Sequence, residues 1–111
     1  MTFEELRNNK PTTQWLEDDD EEIFTEENIH ATNKVLETYI SNLEKLGSNP
    51  PEAEIMQIVK EVVIGLNEIN EKCDYFIETM EREDLYDYID AAAQIAGLES
   101  DEDITEEWRK W

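Results

Sequence analysis

From Ile55 to Met80 the apolar residues recur in alternating steps of four and three. Ile55, Val59, Val62, Leu66, Ile69, Cys73, Phe76 and Met80 trace a seam sustained over about four heptads. Ile58, Val63 and Ile77 widen the seam into the apolar face that a bundle helix needs. Such a stripe is stable only when other helices cover it. The pattern predicts a helix over 50–81, with Asn70 to Asp74 as the place where it can kink. Upstream, Ser48-Asn49-Pro50-Pro51 is a stop and a start together. Asn49 can cap, Pro50 suits the first helical position, and Glu52 sits three residues after Asn49 as in a capping box.

Two further periodic segments flank the seam. Thr25 is a good N-cap, and Glu26 and Glu27 follow in a first turn, where the helix dipole favours anions. Ile29, Leu36, Tyr39, Ile40, Leu43 and Leu46 then recur at helical spacing with Val35 beside them, and Gly47 stands where a helix C′ residue is expected. This predicts a helix over 26–46. Leu85, Tyr88, Ile89, Ala92, Ala93 and Ala96 make the third segment, closed by Gly97, with Leu98 placed for the apolar contact of a Schellman cap. In the tail, Ser100 or Asp101 can cap a short helix that sets Ile104 and Trp108 one turn apart.

At the other end, Phe3 and Leu6 fit a turn or two of helix before Pro11, Thr12 and Thr13 break the pattern. Trp15, Leu16, Ile23 and Phe24 flank an acidic run and are expected to anchor it to the core. The predicted fold is all-α: an antiparallel three-helix bundle with short extra helices at the N- and C-terminal ends, forming one domain over 1–111. Within it, 1–24 is an irregular acidic segment, 25–98 the helical core and 99–111 a short C-terminal helix.

The surface of this bundle is constrained by charge. Thirty Asp and Glu stand against nine Lys and Arg, a formal net charge of −21 on 111 residues. That surplus repels nucleic acid and anionic membrane and attracts basic proteins. The cations are too few and too scattered for a phosphate-tracking stripe. Cys73 is the lone cysteine, so no intramolecular disulfide forms and a reducing compartment fits. Neither a basic segment leading into an apolar run nor an apolar stretch of about 18 residues is visible. The expected location is the cytoplasm.

Chemical motifs are sparse. Glu27-x-x-His30 has the spacing of a carboxylate-bridged di-iron helix, but that site draws on two such motifs and His30 is the one histidine. Asp101-x-Asp103-x-Thr105 resembles the opening of a calcium loop, yet Glu106 occupies the position that requires glycine. Cys73 lies on the apolar seam amid negative charge, which suits core filling rather than nucleophilic attack. Gly47, Gly65 and Gly97 read as two helix ends and one packing contact, not as a phosphate loop. Carboxylates are so abundant that no pair is marked for acid–base work. No catalytic residue, cofactor or metal is expected.

An acidic, ordered scaffold with aromatic anchors suits the occlusion of a basic cleft, with fast, electrostatically steered association. In size and charge the chain resembles the bacterial immunity proteins that neutralise secreted toxins, a likeness of class rather than of motif. It implies a basic partner such as a toxin nuclease. The binding surface is expected to draw on Asp18, Asp19, Asp20, Glu21 and Glu22, on Asp84, Asp87 and Asp90, and on Asp101, Glu102 and Asp103, with Trp108 and Trp111 as anchors. For Trp108 the competing expectation is that it docks on the bundle and staples the C-terminal segment. The alternative functions are a DNA mimic that blocks a DNA-binding protein and a non-catalytic helical adaptor. A monomer or a weak homodimer fits either.

Overall fold

The apolar periodicities become helices that bury one face each. The computed structural model describes residues 2–17, 26–47, 50–73, 75–98 and 104–111, with backbone only for 16 and 17. Along them run α1 (Phe3–Asn8), α2 (Thr12–Glu17), α3 (Glu26–Lys45), α4 (Glu52–Lys72) and α5 (Thr79–Ala96), and no strand occurs among the described residues. The long helices α3, α4 and α5 pack together. The caps expected at Thr25 and Asn49 lie outside the described residues.

On α3 the buried positions include Ile29, Leu36, Tyr39, Ile40 and Leu43, the face read from the spacing. On α4 they are Ile55, Ile58, Val59, Val62, Val63 and Leu66. Gly65 serves the close approach of these two helices, since a Cβ there would lie 3.4 Å from Cγ1 of Val35. On α5, Leu85, Tyr88, Ile89, Ala92 and Ala93 are buried. The helix ends as expected: Gly97 adopts φ +117°, its N–H bonds the Gln94 carbonyl, and the Leu98 N–H bonds that of Ala93. Leu98 is buried, which completes a Schellman motif with its apolar contact.

Two buried phenols tie the helices laterally. The Tyr39 hydroxyl donates to the Ile89 carbonyl at 2.7 Å and joins α3 to α5. The Tyr88 hydroxyl donates to the Leu6 carbonyl at 2.8 Å and joins α5 to α1. Burial pushes the Tyr39 pKa well above the usual phenol value, helped by the negative charge of Asp90. Burial also raises Tyr88, to about 12, with Glu37 adding to the shift and Arg7 opposing it.

The helix expected over 50–81 is two helices. Its start shifts to Glu52, with Pro51 extended at the N-cap position. Its end comes at Lys72, within the segment flagged for a kink, and α5 begins at Thr79, well before Leu85. Asn70 makes the break. Its carbonyl accepts the Tyr75 N–H at 2.6 Å, and its buried side-chain Oδ1 accepts the Ile77 N–H at 2.9 Å. These bonds reverse the chain and let Phe76 and Ile77 enter the core from non-helical backbone. The seam therefore stops short of its expected length. Cys73 is only half-buried, and Met80 stands 71% exposed. At its start, α5 is capped in reverse by Glu81, whose carboxylate accepts the Glu78 N–H at 3.3 Å.

The described part of the N-terminal segment, residues 2–17, is more regular than expected. Thr2 caps α1 by accepting the Glu5 N–H. Pro11 is a start rather than a simple break, because its carbonyl receives the N–H groups of Gln14 and Trp15 in α2. Thr12 is buried and its hydroxyl donates to Asn33 on α3. Of the expected C-terminal helix, the described residues 104–111 are less regular than expected, and its caps at Ser100 and Asp101 lie outside the described residues. Residues 104–108 form turns, with the Trp108 and Arg109 N–H groups both on the Thr105 carbonyl, and no helix forms there.

Replacing Asn70 by Ala leaves the buried Ile77 N–H without its acceptor. The expected cost is about 2 kcal/mol of unfolding free energy, measured by chemical denaturation. The tyrosine shifts have a definite sign. Between pH 10 and 12 the unfolded chain loses phenolic protons that the folded chain retains, so stability falls as pH rises through this window. Tyr39→Phe reduces the slope of that decline, read from denaturation midpoints across the range.

Candidate functional site

Three of the nine Lys and Arg line one depression on the α1–α3 side. Arg7 donates to Glu37 at 3.0 Å and to Ser41 at 3.2 Å, and it also pairs with Glu44. The bond to Glu44 is the main reason that the Arg7 pKa is raised. Lys10 reaches Glu37 at 3.4 Å and the Arg7 carbonyl at 3.0 Å. Arg7, Lys10, His30 and Lys34 all line one depression of about 510 Å³ between the α1–α2 connection and α3. Thus three of the nine Lys and Arg lie together, two of them facing their own carboxylates. His30 is exposed at this rim, and no group of three His, Cys, Asp or Glu among the described residues could hold a metal ion.

Where α4 passes into α5, no ion pair joins the described residues. Trp15 from α2 is buried, donates its indole N–H to Asp84 at 2.9 Å, and meets Phe76 edge-on with ring centroids 6.5 Å apart. This contact brings α2, the helix that leads into the acidic run, against the first turns of α5. Exposed carboxylates there include Glu71, Glu78, Glu83 and Asp84, with Asp87 one turn further along α5. Their cationic neighbours in sequence are Lys72 and Arg82. Burial raises the pKa of Glu81 in the same turn, and the backbone N–H that it caps offsets part of the rise.

The expected site residues separate into distinct environments. Asp84 is exposed and engaged by Trp15, and Asp87 is exposed. Asp90 is half-buried and accepts from Gln94 at 2.9 Å. Asp18, Asp19, Asp20, Glu21, Glu22, Asp101, Glu102 and Asp103 lie outside the described residues, as do Ile23 and Phe24. The residues bordering these stretches are anchored in the core: Trp15 and Ile29 around the first, Leu98 and Ile104 around the second.

Trp108 and Trp111 are half-buried and pack against the core. Asn67 on α4 clamps the backbone between them, donating to the Trp108 carbonyl at 2.8 Å and accepting the Lys110 N–H at 2.9 Å. Arg109 lies over the rings of Tyr86 and Trp111, 5.7 and 5.5 Å from their centroids. The stapling role weighed for Trp108 matches this arrangement. Among the described residues, the large apolar side chains that face solvent are Tyr75 at 64%, Met80 at 71% and Ile64 at 39%. The heptad reading put Met80 on the buried seam and passed over Tyr75. The signal that bears on both is Asn70, the polar residue at which the buried stripe can end.

No family model, curated protein or solved structure matches this chain. No helix among the described residues is long and apolar enough to cross a membrane.

The Trp15–Asp84 bond is open to test. Asp84→Ala removes a carboxylate acceptor from a buried indole and is expected to cost about 1 kcal/mol, because the acid itself is exposed. Asp87→Ala, on the same helix and exposed, serves as the control and should change stability by less than about 0.5 kcal/mol.

Proposed function

We propose that this chain is an acidic protein-binding module that inhibits a basic partner, and that a toxin nuclease of the bacterial kind is the class of partner it fits. The helices act as an antiparallel three-helix scaffold that carries acidic groups on its surface. The observation that carries this reading is a net charge of −21 on a packed helical chain whose cations partly cluster on the α1–α3 side. A partner with a basic cleft would be drawn in by that field, and its association rate would fall with salt. A cytoplasmic location accords with the single unpaired Cys73.

A second reading, mimicry of DNA, is favoured by one dimension. The molecule is 43 Å long. Duplex DNA of that length carries about 25 phosphates, at one charge per about 1.7 Å of axis. The charge of this chain is of the same order.

One experiment separates the two. The full chain is used as bait in a lysate of its native cells at low and at high salt, and captured proteins are identified by mass spectrometry. The inhibitor reading expects one stoichiometric basic protein that survives high salt. A set of DNA-binding proteins, all lost at high salt, would support mimicry and sink the inhibitor reading. Once the partner is purified, Asp18→Lys, Asp19→Lys and Asp20→Lys together should slow association at least tenfold, to order of magnitude, and flatten its salt dependence. Unchanged rate and slope would remove the run from the binding surface.

A further inference from the structure

The depression between the α1–α2 connection and α3 departs from the charge of the chain that carries it. The sequence has thirty acids to nine Lys and Arg, yet the described residues lining this depression include three of those cations, the one histidine and a single acid, Glu37. That acid is already paired with Arg7 and Lys10, so an incoming anion does not meet a bare carboxylate. Lys34 and His30 are exposed and make no ion pair with any described residue.

The wall is fixed by the fold. Lys10 is largely withdrawn from solvent, its side chain 16% exposed, and its ammonium is seated on the Arg7 carbonyl. Thr12 is buried and its hydroxyl donates to Oδ1 of Asn33, which leaves the Asn33 amide N–H groups as donors. His30 offers an N–H in either protonation state. Because Arg7, Lys10 and Asn33 are held on the scaffold beforehand, little side-chain freedom remains to be lost on binding.

Every described residue lining the depression bears a polar side chain, and His30 is the one ring among them. No apolar wall is present there to cover an acyl chain or to stack on a nucleobase. The hydroxyls of Thr13 and Thr38, both at exposed positions, suit hydrogen bonds to other hydroxyls. At about 510 Å³ the space exceeds that of a lone oxyanion and suits a small ligand. The surplus of acids elsewhere does not close the site. At physiological ionic strength the Debye length is about 8 Å, so an anion among these side chains senses them ahead of more distant carboxylates.

We propose that this depression binds a small phosphorylated sugar or polyol, its phosphate drawn to Lys34, His30 and Asn33 with Lys10 and Arg7 behind them, and its hydroxyls to Thr13 and Thr38. The site is independent of the basic-partner reading.

The test titrates the isotopically labelled full chain, at fixed physiological ionic strength, with inorganic phosphate, a hexose 6-phosphate and the unphosphorylated hexose. Amide chemical shifts are the readout. The hexose phosphate should saturate with shifts centred on Arg7–Thr13 and His30–Thr38, and bind about tenfold more tightly than inorganic phosphate. The hexose alone should cause no shift. Lys34→Gln should weaken the hexose phosphate about tenfold by removing one charge-assisted contact. Lys60→Gln removes the same charge from another exposed position, on α4, and should leave affinity unchanged. The same spectra confirm that both variants keep the fold. An equal loss in the two variants would reduce the effect to a diffuse ion atmosphere and overturn the proposal. So would shifts centred elsewhere, no saturable shift at millimolar probe, or equal affinity for the two phosphates. If sedimentation shows a dimer that the hexose phosphate dissociates, acids of a second copy are the occupant and the proposal falls.

Discussion

The architecture turns on Asn70. A helix carrying a heptad stripe has no local reason to stop, and the apolar positions continue through Cys73 and Phe76. Asn70 offers the chain an alternative set of hydrogen bonds, one through its carbonyl to Tyr75 and one through its amide oxygen to Ile77. Both satisfy backbone donors that a helix would otherwise satisfy, so the reversal leaves neither of them orphaned. Everything beyond depends on it. α5 can return alongside α4, Phe76 can meet Trp15, and the indole of Trp15 can reach Asp84. A buried polar side chain is a costly thing to carry, and here it defines where one helix gives way to the next.

The lateral ties follow a related logic. Tyr39 and Tyr88 place apolar rings in the core and their hydroxyls on backbone carbonyls of neighbouring helices. Each ring supplies buried area, and each hydroxyl fixes the helix pair in one register. Asn67 does the same at the edge, where a side chain rather than a ladder holds the C-terminal segment in place. These contacts give order to a chain whose self-repulsion favours expansion. The cations contribute by location. Arg7 and Lys10 are drawn to Glu37 and Glu44 on α3, so part of the small positive complement is used to seat the N-terminal helices.

Much of the helical organisation was legible in the residues. The buried face of α3, the apolar face of α4 as far as Leu66, the close contact at Gly65 and the closure at Gly97 and Leu98 all follow from local pattern. The errors share a cause. Periodicity marks which residues share a face but not where the chain leaves the helix, so the seam was extended through Met80. Pro11 reads locally as a break because proline ends helices, whereas in the fold its carbonyl opens α2. The tail was expected to be helical from its capping residues and charge order. Its backbone instead answers to Asn67, a partner more than forty residues away.

The sequence by itself determined the helical class, the apolar faces and the excess of negative charge, because each is a property of composition or of neighbours a turn apart. Tertiary structure alone decided which acids are engaged and which aromatics face solvent. Trp15 and Asp84 are paired across a long stretch of chain, Trp108 is held by Asn67, and Tyr75 is turned outward by Asn70. Long-range hydrogen bonds and burial compete with local preference at these points, and the outcome of that competition is set by three-dimensional neighbours that no spacing rule contains.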